Sequence, residues 1–141
     1  MLQSVTSVGN ARTVSQAANI AIVDDDPDIR EAVHGMVESI GHSAVLFASA
    51  EEFLAFPARV EIDCMILDVR MPGMSGLELQ ARLRNEPDCP MIIFMTSDSD
   101  DVTRQRALQG GATCFLGKPV SDDILIECLE VALLDRCRRP R

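Results

Sequence analysis

A chain of 141 residues is long enough to bury the core of one ordinary domain. A net charge of −9, with no Trp and no Tyr, argues against nucleic acid or an anionic membrane as a partner, and against an aromatic platform for bases or flavins. No apolar stretch has the length of a membrane span, no signal peptide is visible, and the five cysteines are too widely spaced for a disulfide framework or a zinc knuckle, so the reducing cytoplasm is the expected compartment.

Residues 1–19 are rich in Ser, Thr, Asn, Gln and Ala and read as a flexible N-terminal extension. Ile20-Ala21-Ile22-Val23 is the first buried strand, ending in Asp24-Asp25-Asp26. Asp26 is the cap candidate for a helix entered at Pro27. That helix carries Ile29, Val33, Met36, Val37 and Ile40 at helical spacing and stops at Gly41. Ser43 to Phe47, short and mixed, reads as an edge strand. Ser49 and Glu52 have the spacing of a reciprocal capping box, opening a short helix with Phe53, Leu54 and Phe56 that ends at Pro57.

Cys64-Met65-Ile66-Leu67 is a continuous apolar run, the mark of a strand covered on both faces, and it sets down a single carboxylate, Asp68. Pro72, Gly73 and Gly76 break the chain after it. A third helix is expected from about Gly76 to Asn85, and a fourth strand over Met91–Met95 ending at Thr96-Ser97. The helix from about Asp100 to Gln109 is weakly amphipathic, with only Val102, Ala107 and Leu108 apolar, and Gly110-Gly111 ends it. Cys114–Gly117 is the fifth strand, followed by Lys118-Pro119. Cys64 and Cys114 read as small buried hydrophobes. The last helix starts near Ser121, with Asp122 and Asp123 at its positive end and a stripe of Ile124, Leu125, Cys128, Leu129, Ala132 and Leu133. Residues 137–141 form a basic tail or the start of a linker. Alternating strands and helices predict an α/β fold, a doubly wound parallel sheet.

In such a sheet all carboxyl ends emerge on one edge, where ligand sites lie. That edge collects Asp24, Asp25 and Asp26, then Asp68, then Thr96 and Ser97, then Lys118. Alone, Asp68 reads equally well as a turn residue. Together, carboxylates about 4 Å apart repel by about 4 kcal/mol at an effective dielectric near 20, so they take up protons or recruit a cation. Oxygen ligands without a contiguous calcium loop favour Mg²⁺. A nucleophilic carboxylate, a metal, a lysine and a hydroxyl are the parts of a phosphoryl-transfer site with Asp as acceptor. No GxxxxGK[ST] loop is present to cradle a nucleotide.

Ile22-Val23-Asp24-Asp25-Asp26, Leu67-Asp68-Val69-Arg70-Met71-Pro72-Gly73-Met74-Ser75-Gly76, Met95-Thr96-Ser97 and Leu116-Gly117-Lys118-Pro119, in this order, resemble the receiver domain of bacterial two-component response regulators. The resemblance covers roughly residues 20–136 and implies a five-stranded sheet of order 2-1-3-4-5, the flavodoxin-like arrangement. It implies that Asp68 accepts a phosphoryl group from the phosphohistidine of a sensor histidine kinase or phosphotransfer protein. It further implies that Asp25, Asp68 and the Arg70 backbone carbonyl ligate Mg²⁺, with Asp24 acting mainly through water. Lys118 and Thr96 would hold the phosphoryl, Phe115 would turn inward behind Thr96, and the Lys118-Pro119 bond would be cis. Output would leave by the fourth helix, fifth strand and fifth helix, where a phosphorylation-dependent homodimer is expected.

Arg70 departs from the family pattern, being long and charged where many members carry a polar residue beside the site. The stretch from Arg70 to Gly76 resembles nitrogen-fixation-type transcription regulators, which carry a helix-turn-helix domain. The chain reads as a stand-alone receiver, with the excised receiver of such a regulator as the alternative. A haloacid-dehalogenase-type Mg²⁺ phosphatase is a weaker reading, because that family needs a second Asp where Arg70 stands. A flavodoxin lacks support because no hydroxyl-rich loop follows the first strand. The complete set of site residues disfavours a phosphorylation-dead receiver.

Overall fold

The computed structural model describes residues 17–138. The chain alternates β1 (Asn19–Val23), α1 (Pro27–Ser39), β2 (Ser43–Phe47), α2 (Ala50–Leu54), β3 (Cys64–Leu67), α3 (Gly76–Leu83), β4 (Met91–Thr96), α4 (Asp101–Gln109), β5 (Cys114–Gly117) and α5 (Asp122–Arg138). The five strands are parallel, in the order β2-β1-β3-β4-β5.

The strand pattern explains the two layers of helix. Successive strand residues point to opposite faces. Ile20 and Ile22 therefore join Cys64, Ile66, Ile93 and Met95 in one core, against Val33 and Met36 of α1 and Leu125 and Leu129 of α5. Ala21 and Val23 join Met65, Leu67, Ile92 and Phe94 in the other, against Phe53, Leu79, Leu83 and Ala107 of α2, α3 and α4. Covering on both faces is why β3 and β4 are apolar at every position, up to Thr96. Among the described residues, no helix is long and apolar enough to cross a membrane.

Asp26 caps α1, its side chain accepting from Asp28 N, and Gly41 follows the helix at φ +94°. Several boundaries differ from expectation. The extension expected over residues 1–19 lies, for residues 1–16, outside the described residues, but Ala18 is already buried and Asn19 already pairs with Ser43. At the other end, α5 continues through Arg138 into the expected tail, whose last residues 139–141 lie outside the described part. Phe56 lies beyond α2 but still packs its ring 5.3 Å from Phe47. A 3₁₀ turn at Arg59–Glu61 was not foreseen, and α3 stops at Leu83, short of Asn85.

The Ser49–Glu52 box is only half formed. Ser49 Oγ accepts from Glu52 N, but Glu52 Oε1 accepts from Ala48 N rather than from Ser49. On α5, Leu125, Leu129, Ala132 and Leu133 are buried, whereas Ile124 is 50% exposed and Cys128 half-buried. The buried stripe is narrower than the sequence stripe because α5 rests on the sheet along one line. Cys64 is buried as expected, while Cys114, near the sheet edge, is half-buried.

Candidate functional site

The order of the strands places the site. β1 and β3 are neighbours, yet the chain leaves β1 toward β2 on one side and returns to β3 on the other, which opens a crevice at their carboxyl ends. Val23 pairs with Leu67, so the next residues, Asp24 and Asp68, stand side by side. Asp68 N–H donates to the Val23 carbonyl at 3.0 Å, fixing that register to the last residue. Thr96 pairs with Gly117 on the far side, and Lys118 N–H donates to the Thr96 carbonyl at 2.8 Å. The Lys118–Pro119 peptide is cis.

Asp24, Asp25 and Asp68 each present a carboxylate oxygen within 4.8 Å of the others. Asp24 is 2% and Asp68 7% exposed, while Asp25 is exposed. Lys118 Nζ donates to Asp24 Oδ2 at 2.8 Å and to Asp68 Oδ2 at 3.3 Å. Its shorter bond is to Asp24. Burial pushes the Asp24 carboxyl above the usual carboxylate range, with the Asp68 charge adding to it, and the bonds from Lys118 and Asp26 N–H only partly oppose this. Burial alone would lower Lys118, but Asp24 and Asp68 together hold it above its ordinary value.

One atom of this cluster has no protein partner. Asp68 Oδ1 is buried and accepts no hydrogen bond among the described residues. A buried polar atom left unsatisfied costs about 1–3 kcal/mol, and more when charged. An all-oxygen donor set with an unsatisfied carboxylate oxygen fits a hard divalent cation. The cluster could therefore hold a metal.

The loop after β3 is built to hold Asp68 still. Gly73 takes φ +80°, open to glycine at little cost. Glu51 of α2 accepts from Met74 N–H at 2.9 Å, which draws its carboxyl below the usual range. Ser75 then caps α3 in a full capping box with Glu78. This Ser-x-x-Glu spacing is legible in the sequence as a capping signature. Replacing Ser75 with Ala should cost about 1 kcal/mol of stability and lower the melting temperature by about 4 °C, as a thermal scan would show.

Thr96 is 1% exposed, and its Oγ1 accepts from Asp98 N–H at 3.1 Å. Phe115 is buried, its ring centred 6.1 Å from that of Phe94. Phe115 thus lies inside the core, the inward placement that the resemblance implies for it. Arg70 follows Asp68 by two residues; its Nε donates to Asp98 Oδ2 at 2.6 Å across the mouth of the site. Sequence reasoning missed Asp98, one acid among Ser97-Asp98-Ser99-Asp100-Asp101.

Residues 20–130 match the family model described as the response regulator receiver domain. The chain is 36% identical over 133 residues to nodulation protein W of Bradyrhizobium diazoefficiens, covering 94% of this chain and 58% of that protein. It is 34% identical over 115 residues to the transcriptional regulatory protein FixJ of the same organism, covering 82% and 56%. Among solved structures, that of the response regulator StyR superposes with a TM-score of 0.78 at 37% identity, over 87% of this chain and 63% of that one. The chain thus spans a little over half the length of these curated relatives.

Proposed function

The chain belongs to the response regulator receiver domain family, and from that premise we propose that Asp68 accepts a phosphoryl group from the phosphohistidine of a sensor histidine kinase or a phosphotransfer protein. The observation that carries this reading is Asp68 itself. It is a buried carboxylate at the switch point of the sheet, with one oxygen held by Lys118 and the other unsatisfied. Neither the family match nor the fold favours a haloacid-dehalogenase-type phosphatase.

In the transfer an Asp68 oxygen attacks phosphorus, the bond from phosphorus to the histidine nitrogen breaks, and that nitrogen keeps the electron pair. Lys118 already spans Asp24 and Asp68, so it meets the new phosphoryl charge without leaving the site. Thr96 offers its hydroxyl to a phosphoryl oxygen. Asp25, Asp68 and the Arg70 carbonyl would hold Mg²⁺, with Asp24 acting mainly through water, and the ion would supply positive charge against that developing on the phosphoryl oxygens. The chain is a phosphoacceptor rather than a turnover enzyme. It works in the cytoplasm, and α4, β5 and α5 carry the output, with a phosphorylation-dependent dimer through that face. Transcription control, stated in the name of the FixJ relative, is the proposed downstream effect.

The test is phosphoryl uptake from acetyl phosphate, read by intact mass with Mg²⁺ and with excess chelator. Uptake is expected with Mg²⁺ and lost with chelator; no uptake in either condition overturns the reading. Mg²⁺ alone should also stabilise the fold, because the unfolded chain does not assemble the cluster. At free Mg²⁺ about a hundredfold above its Kd the gain is about 2.7 kcal/mol. Melting curves with and without Mg²⁺ check it, and a melting temperature that does not move counts against the metal assignment.

A further inference from the structure

Asp98 has no part in the transfer step above, yet it joins the two loops that border the site. Arg70, from the loop after β3, holds its carboxylate at 2.6 Å. Its own backbone N–H donates to Thr96 Oγ1 at 3.1 Å. Thr96 is 1% exposed and the Arg70 side chain 76% exposed, so the connection Arg70–Asp98–Thr96 runs from solvent into the site. The same two loops, with Thr103 and Arg106 of α4, wall an open cavity of about 570 Å³.

We propose that Arg70 and Asp98 form a latch that keeps the Thr96 hydroxyl in its resting position, and that a phosphoryl group on Asp68 opens the latch by drawing Arg70 away. The inference rests on Asp68 being the acceptor. Arg70 stands two residues past Asp68, and a phosphoryl group presents dianionic oxygens that suit a guanidinium better than one carboxylate does. Asp98 then loses its anchor, its N–H parts from Thr96 Oγ1, and Thr96 turns toward the phosphoryl. Asp98 also lies two residues before Asp100, whose side chain caps α4 by accepting from Thr103 N–H at 2.8 Å. Release of the latch therefore shifts the entry of α4, a helix that buries only Ala107. Arg70 and Asp98 are positioning residues: they act on the phosphoryl's partner, Thr96.

An ion pair this exposed shifts an equilibrium by about two- to fivefold. Two readouts test it: beryllofluoride binding in the presence of Mg²⁺, and the Thr96 methyl resonance of the Mg²⁺-free protein. Asp98→Asn keeps the backbone N–H and removes only the charge. It is expected to bind beryllofluoride about two- to fivefold more tightly, and to move the Thr96 methyl toward its beryllofluoride-bound position. Arg70→Gln should move the methyl the same way without the gain in affinity, since it also loses the anion's partner. The double variant should move it no further than Asp98→Asn alone. Raised ionic strength, which weakens exposed pairs, should move it likewise in the unaltered protein. A methyl resonance that stays put in Asp98→Asn and in high salt overturns the latch, as does additive behaviour of the two variants. Wild-type protein that binds no beryllofluoride overturns the acceptor reading, and the latch with it.

Discussion

Gly76→Ala is expected to destabilise the fold by about 1–3 kcal/mol and to reduce phosphoryl uptake, although Gly76 has no side chain to take part in the chemistry. A Cβ at this position would collide with the backbone carbonyl oxygen of Asp68 and come within 3.0 Å of Val69 Cα. The Gly76 N–H also donates to the Val69 carbonyl at 2.8 Å, so α3 is tied to the end of β3 at the point of closest approach. Backbone cannot yield as a flexible side chain can, and relief must come from moving the peptide that carries the acceptor. Gly35→Ala is the control of opposite sign. Gly35 lies within α1 with nothing inside 4 Å of a Cβ, so alanine there should stabilise by about 0.5–1 kcal/mol. Thermal melts of the two variants check both signs, and a Gly76→Ala protein as stable and as readily phosphorylated as the parent would show that the loop, not Asp68, absorbs the contact.

How far the site was legible depends on where its information lies. β2 and β5 were read to the residue, because turn residues bracket both short runs. The convergence of Asp24, Asp25, Asp68 and Lys118 was also legible, since a parallel sheet gathers its carboxyl ends on one edge, and the β1–β3 register brings it about. What the one-dimensional pattern could not carry was the partner of each polar group. Lys118 lies 94 residues from Asp24, and nothing local says that Asp24 rather than Asp68 takes its shorter bond. Glu51, on the short helix α2, reaches the loop after β3, a contact that nothing in its own neighbourhood announces. Asp98 carries no signal in an acidic run, and acquires its role only because Arg70 folds beside it. Periodicity overreached on α5, where Ile124 keeps the helical spacing but faces solvent.

The largest effect is expected at Asp68. Asn has nearly the shape of Asp, so Asp68→Asn should fold and even relieve some of the repulsion with Asp24 and Asp25, while an amide lacks the nucleophilic oxygen that would form the acyl phosphate. Uptake should fall from a full phosphoryl group per chain to none. Asp24→Asn and Asp25→Asn should slow uptake without moving its site, because they act on the cation and not on phosphorus. The direct measurement is intact mass of the parent and of Asp68→Asn after incubation with acetyl phosphate and Mg²⁺. A parent that gains the mass of one phosphoryl group beside an Asp68→Asn variant that gains none is the expected result; a variant labelled to the same extent as the parent would contradict the assignment of Asp68 as the acceptor.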